Sequence, residues 1–157
     1  MKKLLFSALL LIGLCNVANA QLDGFRVGVS GGLPLSDASD ISSFNVGVDA
    51  SYLFGITDTF AAGVATGYST FLGKDGFDDY SFIPVALSLR AGYGSSIFYT
   101  ADIGYAVATT TDAEGGLYLL PKAGWTNGQW DAFIFYKNID ADDVSVASIG
   151  VGAAYKF

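Results

Sequence analysis

Histidine is missing from this 157-residue chain. Its absence removes the side chain most often used as a general base near neutral pH. Cysteine is nearly missing too: Cys15 is the only one, so no disulfide within the chain can staple the fold. Basic residues are scarce, with eight Lys and Arg against fifteen Asp and Glu. Phosphate backbones need a basic face, which excludes nucleic acid as a partner. No stretch beyond residue 20 approaches the ~20 consecutive apolar residues of a membrane-spanning helix. Apolar residues and glycine, by contrast, are abundant: hydrophobic residues make up 52% of the chain and there are 20 glycines. A chain this apolar without a spanning helix is an odd soluble protein.

The first twenty residues read as a separate object. Lys2 and Lys3 open it, Leu4 to Leu14 form an apolar run, and Ala18, Asn19 and Ala20 give a small-x-small exit before Gln21. This is the pattern of a secretory signal peptide cleaved after Ala20, leaving residues 21–157 as one domain. The rival reading is a lipoprotein signal through Cys15; Leu14 directly before that cysteine is bulky where such signals carry Gly, Ala or Ser. Without Lys2 and Lys3, six basic residues face fifteen acidic ones, a net charge of −9.

Turn signals divide the remainder into eight runs, predicting strands near 25–33, 43–54, 59–72, 80–93, 97–109, 117–126, 129–139 and 144–157. Three connections are tight: "GITD" (55–58), "GSS" (94–96) and "NG" (127–128), the last a strong two-residue hairpin signal. The other four, 34–42, 73–79, 110–116 and 140–143, are longer and polar. Tight and long connections alternating around eight strands predict an all-β, eight-stranded antiparallel up-and-down barrel with two unlike ends.

Successive strand side chains alternate between faces, so parity assigns the sides. In the second run Phe44, Val46, Val48, Ala50, Tyr52 and Phe54 share one face, and Asn45, Gly47, Asp49 and Ser51 the other. At the "NG" turn a two-residue loop sets Thr126 opposite Gln129 and Gly124 opposite Asp131, all on the polar-or-small parity. Eight charged residues fall within predicted strands: Arg26, Asp49, Arg90, Asp102, Lys122, Asp131, Lys137 and Lys156. Every one lies on the small-residue parity. A soluble barrel would coat that face with Lys, Glu and Thr; here it is mostly Gly, Ala and Ser with isolated charges. The charges therefore point into a narrow lumen, and the Val, Leu, Ile and Tyr face points outward. Lipid suits such a face, and a closed barrel meets lipid without unpaired backbone groups.

The aromatic residues fit this reading. Phe54, Phe60, Tyr93, Tyr99, Trp125, Trp130 and Tyr155 lie on the outward parity beside a tight turn or the C-terminus, as an interfacial girdle does. Phe44, Tyr68, Tyr105, Tyr118 and Tyr136 lie toward the long-loop end, with Tyr118 pointing inward by parity.

The final residues, "GAAYKF", resemble the C-terminal assembly signal of bacterial outer-membrane barrels through Gly152, Tyr155 and Phe157; the polar residue usual two positions before the glycine is Gly150 here. "SFIPVALSLRAGYG" (81–94) and "GGLYLLPKAGW" (115–125) are similar to strands of the small outer-membrane β-barrel family, of porin-like, opacity and outer-membrane protein A type. This resemblance implies a Gram-negative outer membrane with lipid and lipopolysaccharide around the protein. It also implies periplasmic chaperones and the barrel-assembly machinery as partners during insertion, and a monomeric product. The termini and tight turns would be periplasmic and the acidic loops extracellular.

Some barrels of this size class are enzymes, and the deacylase and protease types use a histidine, which this chain lacks. Asp49, Asp102 and Asp131 could be paired carboxylates, but five basic and three acidic lumen groups fit a structural ion-pair network better. The expected neighbours are Arg90 with Asp102 across the "GSS" hairpin, and Lys122 with Asp131 across the "NG" hairpin. Eight strands leave an interior that side chains fill, and Phe82, Phe98, Phe133 and Phe135 also point inward. The long connections hold ten of the fifteen acids; "KDGFDD" (74–79) lacks the spacing of a calcium loop. No cofactor or metal is expected. The sequence thus points to a non-catalytic outer-membrane barrel of structural or interaction type with a largely filled lumen. The alternatives are a narrow porin-like transporter for small hydrophobic molecules and, third, a surface adhesin.

Overall fold

The computed structural model describes residues 24–35, 37–74, 76, 78–93, 96–110, 114–141 and 145–157; the side chains of Asp37 and Tyr93 are not described. The signal-peptide reading of residues 1–20, with Cys15, lies outside the described residues, as do Asp75, Asp112, Asp142 and Asp143. The elements in order are β1 (Gly24–Leu35), the short helix α1 (Asp37–Ile41), β2 (Ser42–Thr57), β3 (Phe60–Gly73), β4 (Tyr80–Tyr93), β5 (Ile97–Ala108), β6 (Gly116–Thr126), β7 (Trp130–Asp140) and β8 (Ser145–Lys156). Each strand pairs with its sequence neighbours, and β8 returns to β1 to close the barrel. All eight pairings are antiparallel.

The period of two in the sequence is the physical origin of the wall. In β7 exposed and buried residues alternate from Trp130 to Lys137. Outward positions such as Val29, Val85, Leu87, Ile134 and Val151 are exposed, Leu87 by 67%. Inward positions such as Phe98, Asp102, Phe135 and Ser148 are buried. Closure removes both sheet edges, so no open edge remains.

Three local details differ from the sequence expectation. At the "NG" turn Asn127 N–H donates to Trp130 O at 3.1 Å, so the two-residue loop is Gly128–Gln129. Asn127 instead accepts the N–H groups of Gln129 and Trp130 with Oδ1, at 3.0 and 2.7 Å. Gly128 takes the positive φ of 96°. Thr126 consequently faces Asp131 and Gly124 faces Phe133. The shift is two residues, so every side chain keeps its face. At "GITD" β2 runs on to Thr57, which pairs with Phe60 after a register shift beyond Gly55. Finally, the first long connection holds α1, where a loop was expected. Ala38 of α1 is fully buried, and Lys74 ties the helix down through Nζ to Ser39 O at 2.5 Å and its N–H to Ile41 O at 2.9 Å.

Candidate functional site: the barrel interior

The interior is layered along the barrel axis. Nearest the short-turn end, Arg90 of β4 reaches across to Asp131 of β7. Its Nη1 and Nη2 donate to Oδ2 and Oδ1 at 2.6 and 3.2 Å. Arg26 of β1 adds Nε at 3.5 Å from the same carboxylate. The Arg90 guanidinium also stacks on Phe98, 3.7 Å from the ring centroid. A planar guanidinium that meets a carboxylate by its edge and a ring by its face uses both of its recognition modes.

One layer further in, the polarity inverts. Lys122 of β6 stands between Asp102 and Asp49, with Nζ 3.1 Å from Asp102 Oδ2 and 3.5 Å from Asp49 Oδ2. Ser88 donates its hydroxyl to the other Asp102 oxygen at 2.5 Å. Two cations share an anion in the first layer, and two anions share a cation in the second. Desolvated charges persist inside a protein when they are paired in this way.

The third layer is polar without carboxylates. Lys137 of β7 donates to Asn45 Oδ1 at 3.1 Å and to Ser69 Oγ at 2.8 Å. Ser148 donates to the same Asn45 oxygen at 3.2 Å. Among the described residues no ion pair joins Lys137 to an acid. Beyond it, toward the long loops, Phe71, Phe82, Ala106, Tyr118, Ile139 and Ala38 of α1 belong to the buried apolar cluster of the interior, with Ser42 and Ser81 also buried at this end. The Phe71 and Phe82 rings meet edge to face at 6.3 Å.

The eight sequence-predicted charges thus divide. Six of them, Arg26, Asp49, Arg90, Asp102, Lys122 and Asp131, form the two charged layers, while Lys137 sits among neutral partners. Lys156 lies half-buried at the short-turn rim, opposite Arg26 in register. The expected partners are corrected: Arg90 binds Asp131 rather than Asp102, and Lys122 binds Asp102 and Asp49 rather than Asp131. Lys122 is opposite Phe135, four residues from Asp131; its pair with Asp102 is a diagonal contact between the adjacent strands β5 and β6, while Arg90–Asp131 and Lys122–Asp49 run across the lumen. Asn45, Ser69, Ser88 and Ser148 were passed over as partners; their signal was a polar residue on the inward parity. The space between the charged layers and Phe98 and Phe133 is about 20 Å³, room for one water molecule. Among the described residues no three acids or cysteines are grouped to hold a metal ion.

On the outside, Phe54, Tyr99, Trp125 and Trp130 are exposed by 38–54%, and Phe60 and Tyr155 are half-buried. Phe25 extends this band, its ring 5.9 Å from that of Phe157. Tyr155 meets Phe157 and Trp130, each at 5.0 Å. Aromatic contacts therefore run from β1 across the closing seam to β7.

Charged and polar groups inside, apolar groups outside and a fully closed ladder define a small transmembrane β-barrel of the outer-membrane kind. Solved structures share this fold. The crystal structure of Ail, the attachment invasion locus protein of Yersinia pestis, matches at a TM-score of 0.58 and 13% identity over 87% of this chain and 100% of its own. A structure from the de novo design of transmembrane β-barrels matches at 0.55 and 13% identity, over 87% of this chain and 97% of its own. The N-terminal β-barrel domain of Pseudomonas aeruginosa OprF matches at 0.51 and 13% identity, over 87% of this chain and 99% of its own. No family model and no curated protein matches the chain.

Proposed function

We propose that the chain is an integral outer-membrane protein of structural or interaction type, closed to solutes and without catalysis. One observation carries the reading: Arg90, Asp102 and Asp131 are buried to within 4% while Val29, Val85, Leu87, Ile134 and Val151 are exposed by 59–67%. Water cannot favour that inversion across a whole wall; a hydrocarbon phase does. The charged layers then act as struts across the lumen rather than as chemistry. A narrow transporter needs a continuous route, whereas among the described residues the lumen has a water-sized space in the charged layers and mainly apolar packing toward the long loops.

The termini and short turns are assigned to the periplasm, and the long loops to the exterior. Gly152, Tyr155 and Phe157 are assigned as the segment that periplasmic chaperones and the barrel-assembly machinery read, with lipid and lipopolysaccharide as the surroundings of a monomer. Adhesion gains little support. Ail was also crystallised with sucrose octasulfate, a heparin analogue. Here the charged residues described in the long loops, Asp40, Asp78, Asp79, Glu114 and Asp140 beside Lys74, are mostly acidic and disfavour a polysulfated ligand.

Planar-bilayer recording of the refolded barrel tests the reading. Insertion into the bilayer without steady conductance is expected. A steady, ion-selective current would give the transporter reading precedence.

A further inference from the structure

The "NG" turn carries chemistry that neither the lumen nor the wall uses. Asn127 is exposed just beyond β6, and its carboxamide is held in place. Its Oδ1 accepts the N–H of Gln129 at 3.0 Å and of Trp130 at 2.7 Å. The ring closed by the Gln129 bond contains both Cγ of Asn127 and the backbone N of Gly128. That nitrogen is engaged as well: its N–H donates to Thr126 Oγ1 at 3.1 Å. Gly128 has no side chain, and its φ of 96° favours glycine.

These contacts match the demands of one reaction. When a backbone nitrogen attacks the Cγ of the asparagine before it, negative charge develops on Oδ1 and the N–H proton must leave. Two backbone donors already on Oδ1 are placed as an oxyanion hole. A hydroxyl already on the N–H is a first acceptor for the proton. No side chain on Gly128 obstructs the approach. Elsewhere among the described residues Asn45 precedes Val46 and Asn138 precedes Ile139, whose branched side chains crowd it.

We infer that Asn127 is a self-modification site, converted to aspartate by the folded turn. The backbone N of Gly128 bonds to Cγ and gives up its proton through the Thr126 hydroxyl to solvent. The Cγ–Nδ2 bond breaks, and the nitrogen takes a proton from water and leaves as ammonia. The product is a five-membered cyclic imide with two carbonyls. The N–H groups of Gln129 and Trp130 polarise the Cγ carbonyl, so water adds there. The bond from Cγ to the Gly128 nitrogen then breaks, and a proton returns to that nitrogen. The sum is asparagine plus water giving aspartate plus ammonia. Addition at the other carbonyl would give isoaspartate and lengthen the turn by one main-chain atom. The aspartate keeps both N–H bonds, now charge-assisted.

The test incubates the full barrel, refolded in detergent micelles, in heavy-oxygen water at mildly alkaline pH. The same chain unfolded in guanidinium chloride is its reference. Cleavage after lysine gives the peptide 123–137, whose only asparagine is Asn127. Mass spectrometry reads loss of the amide, and electron-transfer fragmentation separates aspartate from isoaspartate. The folded barrel should react about tenfold faster than the unfolded chain, a small part of what oxyanion-hole donors supply in enzymes. Aspartate should also be a larger share of its product. Thr126→Val should slow the folded barrel several-fold and leave the unfolded chain unchanged, with heat-modifiable migration showing that the variant has folded. An equal or slower rate in the folded state overturns the inference, because the Oδ1 contacts would then be locking the amide. A folded product no richer in aspartate also overturns it, as does a folded Thr126→Val barrel that reacts as fast as its parent.

Discussion

Arg90 and Asp131 form a two-pronged ion pair across the barrel interior, at 2.6 and 3.2 Å, although 41 residues separate them in the chain. Arg26 shares the same carboxylate, which makes the three side chains unequal. Losing Arg90 leaves one cation with one anion. Losing the Asp131 charge leaves two guanidinium groups facing each other in a desolvated layer. Asp131→Asn should therefore destabilise the barrel by roughly 3–5 kcal/mol, and Arg90→Gln by clearly less. Replacing all three members, with Arg26→Met and Arg90→Met beside Asp131→Leu, should recover much of the loss, because an apolar layer leaves no guanidinium facing a missing carboxylate. Urea titration of tryptophan fluorescence in vesicles measures the order; equal costs would mean that the layer acts as isolated pairs.

The sequence was legible to the level of side and not to the level of partner. Parity put Asp131, Lys122 and Phe133 inside because alternation is local to each strand. The partner of Arg90 depends on how far a side chain reaches across a closed lumen, a distance set by tilt and stagger of all eight strands. A hairpin neighbour is the natural expectation from a linear string: Arg90 and Asp102 do lie diagonally across β4 and β5, but Arg90 pairs across the lumen with Asp131, and Lys122 and Asp131 are not neighbours in the register. The "NG" turn failed for a related reason: Asn127 can also act as a cap for its own loop, which moves the turn by one residue without moving any face. The α1 helix was illegible because five residues between two strands carry no usable period.

Gly152 illustrates a residue with two readings. A Cβ placed there would come within 2.5 Å of the Phe133 ring and 2.8 Å of Val29 O. The position is glycine because an inward aromatic of one neighbouring strand lies over it and a backbone carbonyl of the other comes close. Gly152→Ala should cost about 1–3 kcal/mol, the range for overpacking, and Phe133→Leu should relieve the part due to the ring while the approach to Val29 O remains. Thermal unfolding by heat-modifiable gel migration measures both. If the double variant were no better than Gly152→Ala alone, the close approach would not be the reason for glycine.

The wall makes a sharper test of the lipid reading. Val48 is exposed by 52%, while Ser51, one face over, is half-buried against the lumen. Val48→Arg should cost roughly 2–4 kcal/mol, as charges do on the lipid face near mid-membrane. Val48→Asn should still hurt and Ser51→Thr should be harmless. Refolding yield and urea midpoints in vesicles decide; equal tolerance of polar residues at both positions would remove the boundary.

Orientation can be read from two exposed acids. Asp40 ends the α1 connection at the long-loop end, and Asp58 sits in the turn between β2 and β3 at the other. Cysteines at these positions, treated on intact cells with a membrane-impermeant maleimide, should label at Asp40→Cys only. Labelling confined to Asp58→Cys would invert the assignment.

Phe157 has a local role and a proposed wider one. Locally its N–H donates to Phe25 O at 2.9 Å, and its ring joins Phe25 to Tyr155 over the β1–β8 seam. The ring is 74% exposed, so much of its apolar surface meets the surroundings rather than the protein. Removing it should lower the stability of the refolded barrel by only ~1–2 kcal/mol, the value of part of one aromatic side chain. Recognition during assembly is another matter, because aromatics on several strands can share the burial, whereas of the girdle set only Tyr155 lies with Phe157 at the end of the strand that closes the barrel. Deleting Phe157 should therefore reduce the folded fraction in cell membranes far more than it shifts the melting of protein refolded in detergent. The same heat-modifiable migration assay, run on membrane fractions and on refolded protein, gives both numbers. Small and equal losses in the two would leave Phe157 as one more girdle residue, and would withdraw the assembly role from Gly152 and Tyr155 with it.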